Sequence, residues 1–207
     1  MFDIRPVILA SQSPRRHELL DLAGIPHTVF VSGANEGSVT YKKGHPEDFA
    51  ISTAELKCHA VRDALRDPSC KVAERDRAIV IAADTVVYSE NEGIFGKPKD
   101  EAEASRMLRS LSGTTHRVIT GVVMYDTVTG QTSRFAEVTA VSFRELSQDE
   151  IDTYIREFRP LDKAGAYGIQ DGACVFVRGI VGDYYNVVGL PVCHVFTELA
   201  RLAGAKQ

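Results

Sequence analysis

The sequence predicts an α/β protein built on a mixed β-sheet, and three observations support this fold class. Short apolar runs alternate with segments in which apolar residues recur at helical spacing, which indicates alternating strands and helices. Residues 79–87, IVIAADTVV, are apolar on both faces of an extended chain, as expected for a central strand covered on both sides. Residues 118–143 contain two β-rich segments around a turn, which predicts an antiparallel hairpin and makes the sheet mixed.

The chain before the central strand predicts one strand and two helices. Residues 7–10 form a short apolar strand, and a helix over 14–23 follows, with Ser13 at its N-cap and a proline at its first position. A second helix covers residues 46–66 and stops before an Asp-Pro pair. The predicted buried faces are Leu19, Leu22 and Ala23 in the first helix, and Phe49, Thr53, Leu56, Ala60 and Ala64 in the second.

The chain after the central strand predicts a further series of helices and strands. They are a helix over 100–113, strands over 118–125 and 132–143, a helix over 148–159 and a last helix from about residue 191. Residues 186–191, NVVGLP, are either a weak candidate site or a strand that leads to this last helix. The first of these helices has Ala104, Met107, Leu108 and Leu111 on one face. Ser147 and Glu150 have the spacing of a capping box, which fixes the start of the second.

The composition excludes several classes of protein. Lys and Arg number 24 against 28 Asp and Glu, a net charge of −4, which disfavours binding to nucleic acid or to anionic membranes. No apolar run approaches the about 20 residues of a membrane-spanning helix. The four cysteines form no Cys-x2-Cys pair and the six histidines no His-x3-His pattern, so zinc and disulfides are only weakly indicated.

The length of the chain and its N-terminal residues indicate the number of domains and the location of the protein. No repeat, low-complexity tract or flexible linker divides the 207 residues, and we expect one domain over residues 1–207. Residues 1–6 lack the basic region and long apolar stretch of a secretory signal. We therefore expect a cytoplasmic protein.

Residues 11–16, SQSPRR, form the first candidate site because they join a strand end to a helix start. The unpaired N–H groups of a helix N-terminus and the forked donors of Arg15 and Arg16 suit the oxygens of a polyphosphate. The alternative is a capped helix with two solvated arginines. The segment alone leaves both interpretations open.

Asp84 is the second candidate because it stands near the carboxyl end of the predicted central strand. An unpaired carboxylate there would be strongly destabilising, so it should contact a cation, a metal ion or water at a cleft. Ligand sites of α/β sheets lie beyond the carboxyl ends of strands. The alternative is a structural carboxylate that caps a loop or pairs with a neighbouring Arg or Lys.

Two lysines are further candidates with strong structural alternatives. Lys97 lies between Gly96 and Pro98, just before a predicted helix, and could equally be a solvated turn residue. Lys57 is next to the apolar face of the second helix, where its head group either reaches a cleft or extends into solvent.

Residues 162–170, DKAGAYGIQ, combine small residues with polar ends and lack helix or strand periodicity. Gly165 and Gly168 would allow close backbone approach, while Lys163 and Gln170 could contact a phosphate and the edge of a base. A structural loop that only needs positive φ at the two glycines is equally available.

Several familiar catalytic motifs are absent from the sequence. There is no Gly-x-Ser-x-Gly, no Gly-x-Gly-x-x-Gly and no Ser/His/Asp order, which removes the standard acyl-transfer and dinucleotide-binding interpretations. The Gly-Lys-Pro at residues 96–98 is not a Walker A motif, because that motif requires Ser or Thr after the lysine.

Six segments taken together resemble the Maf family of nucleotide pyrophosphatases. They are LASQSPRR (9–16), AADTVV (82–87), GKP (96–98), LSGTTH (111–116), DKAGAYGIQ (162–170) and NVVGLP (186–191). Their order spans nearly the whole chain, and the KAGAYGIQ segment resembles the branch that acts on dTTP and UTP. The chain departs from the usual family pattern at Ala82 and at residues 171–172, which bears on the geometry of the loop and on base preference.

The resemblance implies roles for particular residues. Asp84 falls on the general base, and with Glu36 it would bind a divalent cation, Mg²⁺ or Mn²⁺. Residues that tune substrate choice fall on Arg15, Thr85 and Gln170. Polar positions that line the cleft fall on Ser11, Arg16, Lys57, Lys97 and Lys163.

The resemblance also implies a fold and a function. The fold is an elongated, twisted mixed sheet flanked by helices, with two lobes around a central cleft, and members are often dimeric. The function is hydrolysis of dTTP and UTP, or of modified pyrimidine nucleotides, to a nucleoside monophosphate and pyrophosphate, with no nucleic-acid or membrane partner. The alternatives are a purine-directed hydrolase of the same fold and a non-catalytic nucleotide-binding regulator linked to cell division.

Overall fold

The computed structural model describes residues 5–31 and 33–204 and shows a mixed α/β fold. In chain order the strands and α-helices are β1 (Val7–Leu9), α1 (Pro14–Leu22), β2 (His27–Val29), α2 (Pro46–Arg66), β3 (Ile79–Ser89), β4 (Gly93–Phe95), α3 (Glu101–Leu111), β5 (Thr115–Asp126), β6 (Thr132–Phe143), α4 (Gln148–Phe158), β7 (Val177–Val181), α5 (Tyr184–Val188) and α6 (Val192–Leu202). Among the described residues, no helix is both long and apolar enough to cross a bilayer.

The strands form one sheet in the order β2-β1-β3-β5-β6-β7, with β4 paired to β3. Strand β1 pairs in parallel with β2 and β3, whereas β4 and β7 pair antiparallel with β3 and β6. The predicted mixed sheet and central strand are therefore confirmed. The chain divides into two compact units, the described residues of 1–84, 120–136 and 189–207 and those of 85–119 and 137–188.

The core of the first unit lies between α2 and the strands β1 and β3. Alternate strand residues such as Ile8 and Val80 pack against Ala54, Cys58 and Val61 of the helix. The small side chains on this face let the helix backbone come close to the sheet. A Cβ at residue 121 would lie 2.3 Å from the carbonyl carbon of residue 50, so only glycine fits at that position of β5.

Two predicted helix faces in this unit are wrong in part. In α1 the buried residues are Arg16, Leu19 and Leu20, and Leu22 is 69% exposed. In α2 only one residue of the predicted face, Thr53, is buried; the buried set is Pro46, Ala50, Thr53, Ala54, Cys58, Val61 and Leu65. A polar residue in α1, Arg16, and small residues in α2, such as Ala50 and Ala54, take buried positions, and these carry a weaker hydropathy signal than the apolar residues beside them.

A buried ion pair closes the turn between β5 and β6 in the first unit. Asp126 accepts hydrogen bonds from Arg5 Nη1 at 2.7 Å and Nη2 at 2.8 Å. It also accepts from Thr129 Oγ1 at 2.6 Å and from the N–H of Val128 at 2.9 Å. Burial alone would raise the pKa of Asp126, but these four donors outweigh burial and hold the pKa well below its usual range.

The second unit is organised by an aromatic cluster. The rings of His116, Phe143 and Tyr167 contact one another edge to face, with centroids 4.9 to 5.4 Å apart. His116 Nε2 lies 2.8 Å from the Tyr167 hydroxyl, and burial lowers the pKa of His116 to about 4. The neutral imidazole therefore belongs to the core of this unit.

The helix predictions in this unit are mostly confirmed. Helix α3 buries the predicted face and its N-cap Asp100 accepts from the N–H of Glu103 at 2.8 Å. Helix α4 begins with the predicted capping box of Ser147 and Glu150. The interpretation of residues 186–191 as a strand is wrong, because residues 184–188 form the short helix α5.

Candidate active site

Asp84 lies in the middle of β3 and not near its carboxyl end as predicted, because the strand continues to Ser89, where it pairs with β4. Its carboxylate Oδ1 accepts a hydrogen bond from Lys57 Nζ at 2.8 Å, and the side chain is 16% exposed. The predicted need for a cationic partner is met by a lysine from α2. The carboxylate retains access to solvent, as a group that meets a ligand must.

Lys57 contacts two carboxylates. Its Nζ lies 2.8 Å from Asp84 Oδ1 and 3.2 Å from Glu36 Oε2, and the lysine side chain is only 13% exposed. It therefore does not extend into solvent, which was one of the two interpretations of its sequence position. Glu36 begins a short 3-10 turn over Glu36–Ser38, and its carboxylate is more exposed than that of Asp84.

Arg16 is buried at the first turn of α1 and is held from two directions. Its Nε donates to the carbonyl of Gly189 at 2.8 Å, and its Nη1 donates to Ser11 Oγ at 3.0 Å. Ser11 Oγ also accepts from the N–H of Ser13 at 3.2 Å. Ser13 is the N-cap residue by position, but its side chain makes no capping hydrogen bond.

The charge on Arg16 interacts with the other predicted site residues of this unit. Burial lowers the pKa of the guanidinium, the negative charges of Asp84 and Glu36 oppose that effect, and the neighbouring Arg15 adds to it. Arg15 itself is half-buried. The interpretation of Arg16 as a solvated arginine is therefore wrong. The first unit brings Ser11, Arg15, Arg16, Glu36, Lys57 and Asp84 into one polar cluster.

The remaining predicted site residues belong to the second unit. Lys97 and Gln170 are exposed, and Thr85 is half-buried on β3. The N–H of Gly165 donates to the carbonyl of Gly96 at 3.1 Å, so the segment that carries Lys97 lies against the loop over residues 162–170. The structure thus joins two segments that are distant in the sequence.

The two glycines of this loop have different roles. Gly165 has φ +68°, as expected, and a Cβ there would lie 3.0 Å from the Val87 side chain. Gly168 is outside the positive-φ region, which corrects the sequence-based alternative for it. Glycine is required there because neighbouring side chains come close to its backbone. A Cβ at residue 168 would lie 2.5 Å from Asp171 Oδ2 and 2.9 Å from Lys163 Cε.

Lys163 is fixed by two carboxylates, one in the same loop and one directly after it. Its Nζ donates to Asp162 Oδ1 at 2.8 Å and lies 3.6 Å from Asp171 Oδ2. Asp171 Oδ1 in turn accepts from the Tyr154 hydroxyl at 2.9 Å. The departure from the family pattern at residues 171–172 therefore contributes a carboxylate beside the lysine.

The NVVGLP segment has a contact that sequence reasoning missed. Its Gly189 carbonyl accepts a hydrogen bond from Nε of Arg16, which lies 173 residues earlier in the chain. Its Asn186 amide is buried and donates to the Val118 carbonyl and to Thr139 Oγ1, both at 3.0 Å. The motif was visible in the sequence, but nothing in it indicated an arginine as its partner.

The structure thus combines a mixed α/β fold with an acid on its central strand, a buried arginine and a largely buried lysine, and fixed cations of this kind suit phosphorylated ligands. A family model described as "Maf-like protein" matches residues 6–202. The chain belongs to the Maf family.

Similar proteins and one solved structure complete the comparison. A dTTP/UTP pyrophosphatase of Bacillus cereus (strain AH820) is 46% identical over 198 residues, which are 96% of each chain. One of Bacillus anthracis is 45% identical over the same share of both chains. The solved Ham1 protein of Staphylococcus aureus has a TM-score of 0.49 and 15% identity over 97% of this chain and 100% of its own.

Proposed function

We propose that this protein is a nucleoside triphosphate pyrophosphatase that converts dTTP and UTP into the nucleoside monophosphate and pyrophosphate. The observation that carries the proposal is the Asp84 carboxylate on β3, oriented by Lys57 at 2.8 Å in a cluster with the buried Arg16. The names of the relatives that are 45–46% identical over 96% of the chain support it.

In this proposal Asp84 accepts a proton from the water that attacks the α-phosphorus. A bond forms between the water oxygen and that phosphorus, and the bond from the α-phosphorus to the bridging oxygen breaks, so pyrophosphate leaves. A carboxylate is a suitable acceptor if it is held in one orientation. The hydrogen bond from Lys57 to Oδ1 supplies that orientation.

The substrate and the leaving pyrophosphate carry several negative charges, so fixed cations are the main requirement of the reaction. We propose that Arg15, Arg16 and Lys57 of the first unit contact the phosphates, with Ser11 orienting Arg16. Lys97 and Lys163 of the second unit are proposed for the same substrate. Arg16 suits this role because two hydrogen bonds already fix its guanidinium.

A divalent cation fits the donor set of the first unit. The carboxylates of Asp84 and Glu36 both point to one cation, the Lys57 ammonium, at 2.8 and 3.2 Å. Carboxylate oxygens are hard ligands that suit Mg²⁺ or Mn²⁺. We propose that these two residues hold the metal, which when bound would neutralise charge on the phosphate oxygens.

We propose that Arg15, Thr85 and Gln170 select the base. The amide of Gln170 and the hydroxyl of Thr85 can both donate and accept hydrogen bonds, as the carbonyl and N–H edge of uracil or thymine requires. The exposure of Gln170 supports a role in contacting a ligand and not in packing.

The proposal extends to the domain organisation, the location and the partners of the protein. Residues 1–207 act as one Maf-like domain in the cytoplasm, alone or as a homodimer, with no nucleic-acid or membrane partner. The four free cysteines suit a reducing compartment. Size-exclusion chromatography with light scattering distinguishes the monomer from the dimer.

A panel of triphosphates tests the function. The protein is incubated with Mg²⁺ or Mn²⁺ and dTTP, UTP, CTP, ATP or GTP, and pyrophosphate is measured separately from orthophosphate. We expect pyrophosphate chiefly from dTTP and UTP. Faster purine turnover would favour the purine-directed alternative, and nucleotide binding without turnover would favour the regulator linked to cell division.

The Asp84→Asn variant tests the site. Loss of a general base lowers the rate by about 10²- to 10⁴-fold, and we expect at least the lower figure with the fold intact by circular dichroism. Asp63→Asn is the matched control, because Asp63 is an exposed acid whose ion pairs, with Arg62 and Arg66, lie outside the polar cluster. Full turnover by Asp84→Asn would remove this residue from the mechanism.

A further inference from the structure

We propose that His17, Asp21 and His27 form a binding site for a borderline divalent transition metal such as Zn²⁺, separate from the carboxylates proposed for Mg²⁺ or Mn²⁺. In the described part of the chain this is the one group of three or more His, Cys, Asp or Glu side chains whose ligand atoms lie close enough to share an ion. These atoms all lie within 4.8 Å of one another.

His27, the first residue of β2, is the fixed ligand of this site. Its side chain is 1% exposed, and its Nδ1 lies 2.9 Å from the carbonyl of Ile25. A carbonyl only accepts, so Nδ1 carries the proton and Nε2 presents its lone pair. Imidazoles that bind metals usually donate their second ring nitrogen to a carbonyl or carboxylate in this way.

The second imidazole faces that lone pair. His17 Nδ1 lies 2.5 Å from His27 Nε2. Two lone pairs would repel each other at this distance, so either His17 Nδ1 carries a hydrogen and donates it to His27 Nε2, or a metal ion lies between the two nitrogens. Two nitrogens that bind one tetrahedral Zn²⁺ are about 3.3 Å apart, given bonds of about 2.0–2.1 Å. The His17 side chain, 50% exposed, can move by that difference.

Asp21 supplies the third ligand from the same helix. It lies four residues after His17 on α1, and its Oδ2 is 3.4 Å from His17 Nε2. The carboxylate is 60% exposed, so it can turn toward an ion that lies between the two rings. Two imidazoles and one carboxylate are a common zinc ligand set, with water in the fourth position.

The ligand chemistry distinguishes this ion from the one proposed at Asp84. Imidazole nitrogens prefer zinc, copper or nickel, whereas Mg²⁺ prefers oxygen. The two sites can therefore be filled independently. A metal here would join α1, which carries Arg16, to the edge strand β2.

The test is Zn²⁺ affinity, measured by competition with a chromogenic chelator in millimolar Mg²⁺. The background is Cys174→Ser with Cys193→Ser, because both thiols are exposed and would bind Zn²⁺ themselves. His17→Gln should weaken binding at least about tenfold. The matched control is His59→Gln, since His59 forms an i,i+4 pair with Glu55 but belongs to no three-ligand group among the described residues.

A second measurement avoids substituting the buried His27. Long-range ¹H–¹⁵N spectra should show the ring nitrogens of His17 and His27 shifting on addition of Zn²⁺, and those of His59 unchanged. The proposal is overturned if the background protein binds no Zn²⁺, if His17→Gln binds it equally well, or if other histidines shift in place of these two.

Discussion

Replacing Arg5 by Ala should destabilise the protein far more than an ordinary surface ion pair would suggest. The Asp126 side chain is completely buried, and Arg5 makes two of its hydrogen bonds, at 2.7 and 2.8 Å. Removing one partner of a buried pair costs about 3–5 kcal/mol, because the other charge stays buried without compensation. Thr129 and Val128 still donate to Asp126, so we expect a value near the lower end of that range.

The matched control is Arg62→Ala, which removes another Arg–Asp contact. Arg62 Nε lies 2.9 Å from Asp63 Oδ1, but the Asp63 side chain is 61% exposed. Exposed pairs contribute about 0–1 kcal/mol. Urea unfolding followed by circular dichroism gives both free energies of unfolding. A loss for Arg5→Ala no larger than that for Arg62→Ala would refute the argument from burial.

The pH dependence of the same variant provides a second check. In the folded wild-type protein the pKa of Asp126 lies below its unfolded value, so its stabilising effect is present above the unfolded pKa of about 3.9 and lost as pH falls further. Without Arg5 the raising effect of burial is opposed by fewer donors. The variant should therefore lose less stability on acidification, and the difference from wild type should shrink as pH falls below about 4. A constant difference would contradict this sign.

Two substitutions test the second unit's proposed part in the reaction. Lys97→Ala should raise KM and lower kcat for dTTP, because this exposed cation beside the 162–170 loop is proposed to contact phosphate. Steady-state kinetics measure both constants, with Lys99→Ala as the control. Unchanged constants for Lys97→Ala would mean that Lys97 is only a turn residue. Gln170→Ala should lower kcat/KM for UTP more than for CTP, so that the ratio between the two bases falls, and an equal loss for all bases would argue against base recognition.

The elements that sequence predicted well are those with one dominant apolar stripe. In α3 the four residues at helical spacing are the four that are buried. Helix α1 has no such stripe, because Arg16 takes a buried position and Leu22 an exposed one. Strand β2 was missed, since three residues, HTV, with mostly exposed side chains carry no alternation to detect.

The sequence indicated candidate site residues but not which of them contact one another. Strand periodicity makes Asp84 conspicuous, and a largely buried acid requires a partner, yet nothing local shows that Lys57 is the lysine that contacts it. The contact joins residues 27 positions apart, and the one from Arg16 to Gly189 joins residues 173 apart. Such pairs are set by tertiary packing. The contact between His17 and His27 was missed for the same reason, because the two residues come from different elements.

Internal pairing of opposite charges stabilises the polar cluster of the first unit before substrate arrives. Arg15, Arg16 and Lys57 are its three cationic residues, and Asp84 and Glu36 are its two acidic ones. Isolated burial of any of them would be strongly unfavourable, but Lys57 contacts both acids and Arg16 interacts with the same two. The protein thus fixes these cations in place by pairing them internally. In the proposed reaction a triphosphate and a divalent cation exchange partners with this set, so the cations of the site are already in place when the reaction begins.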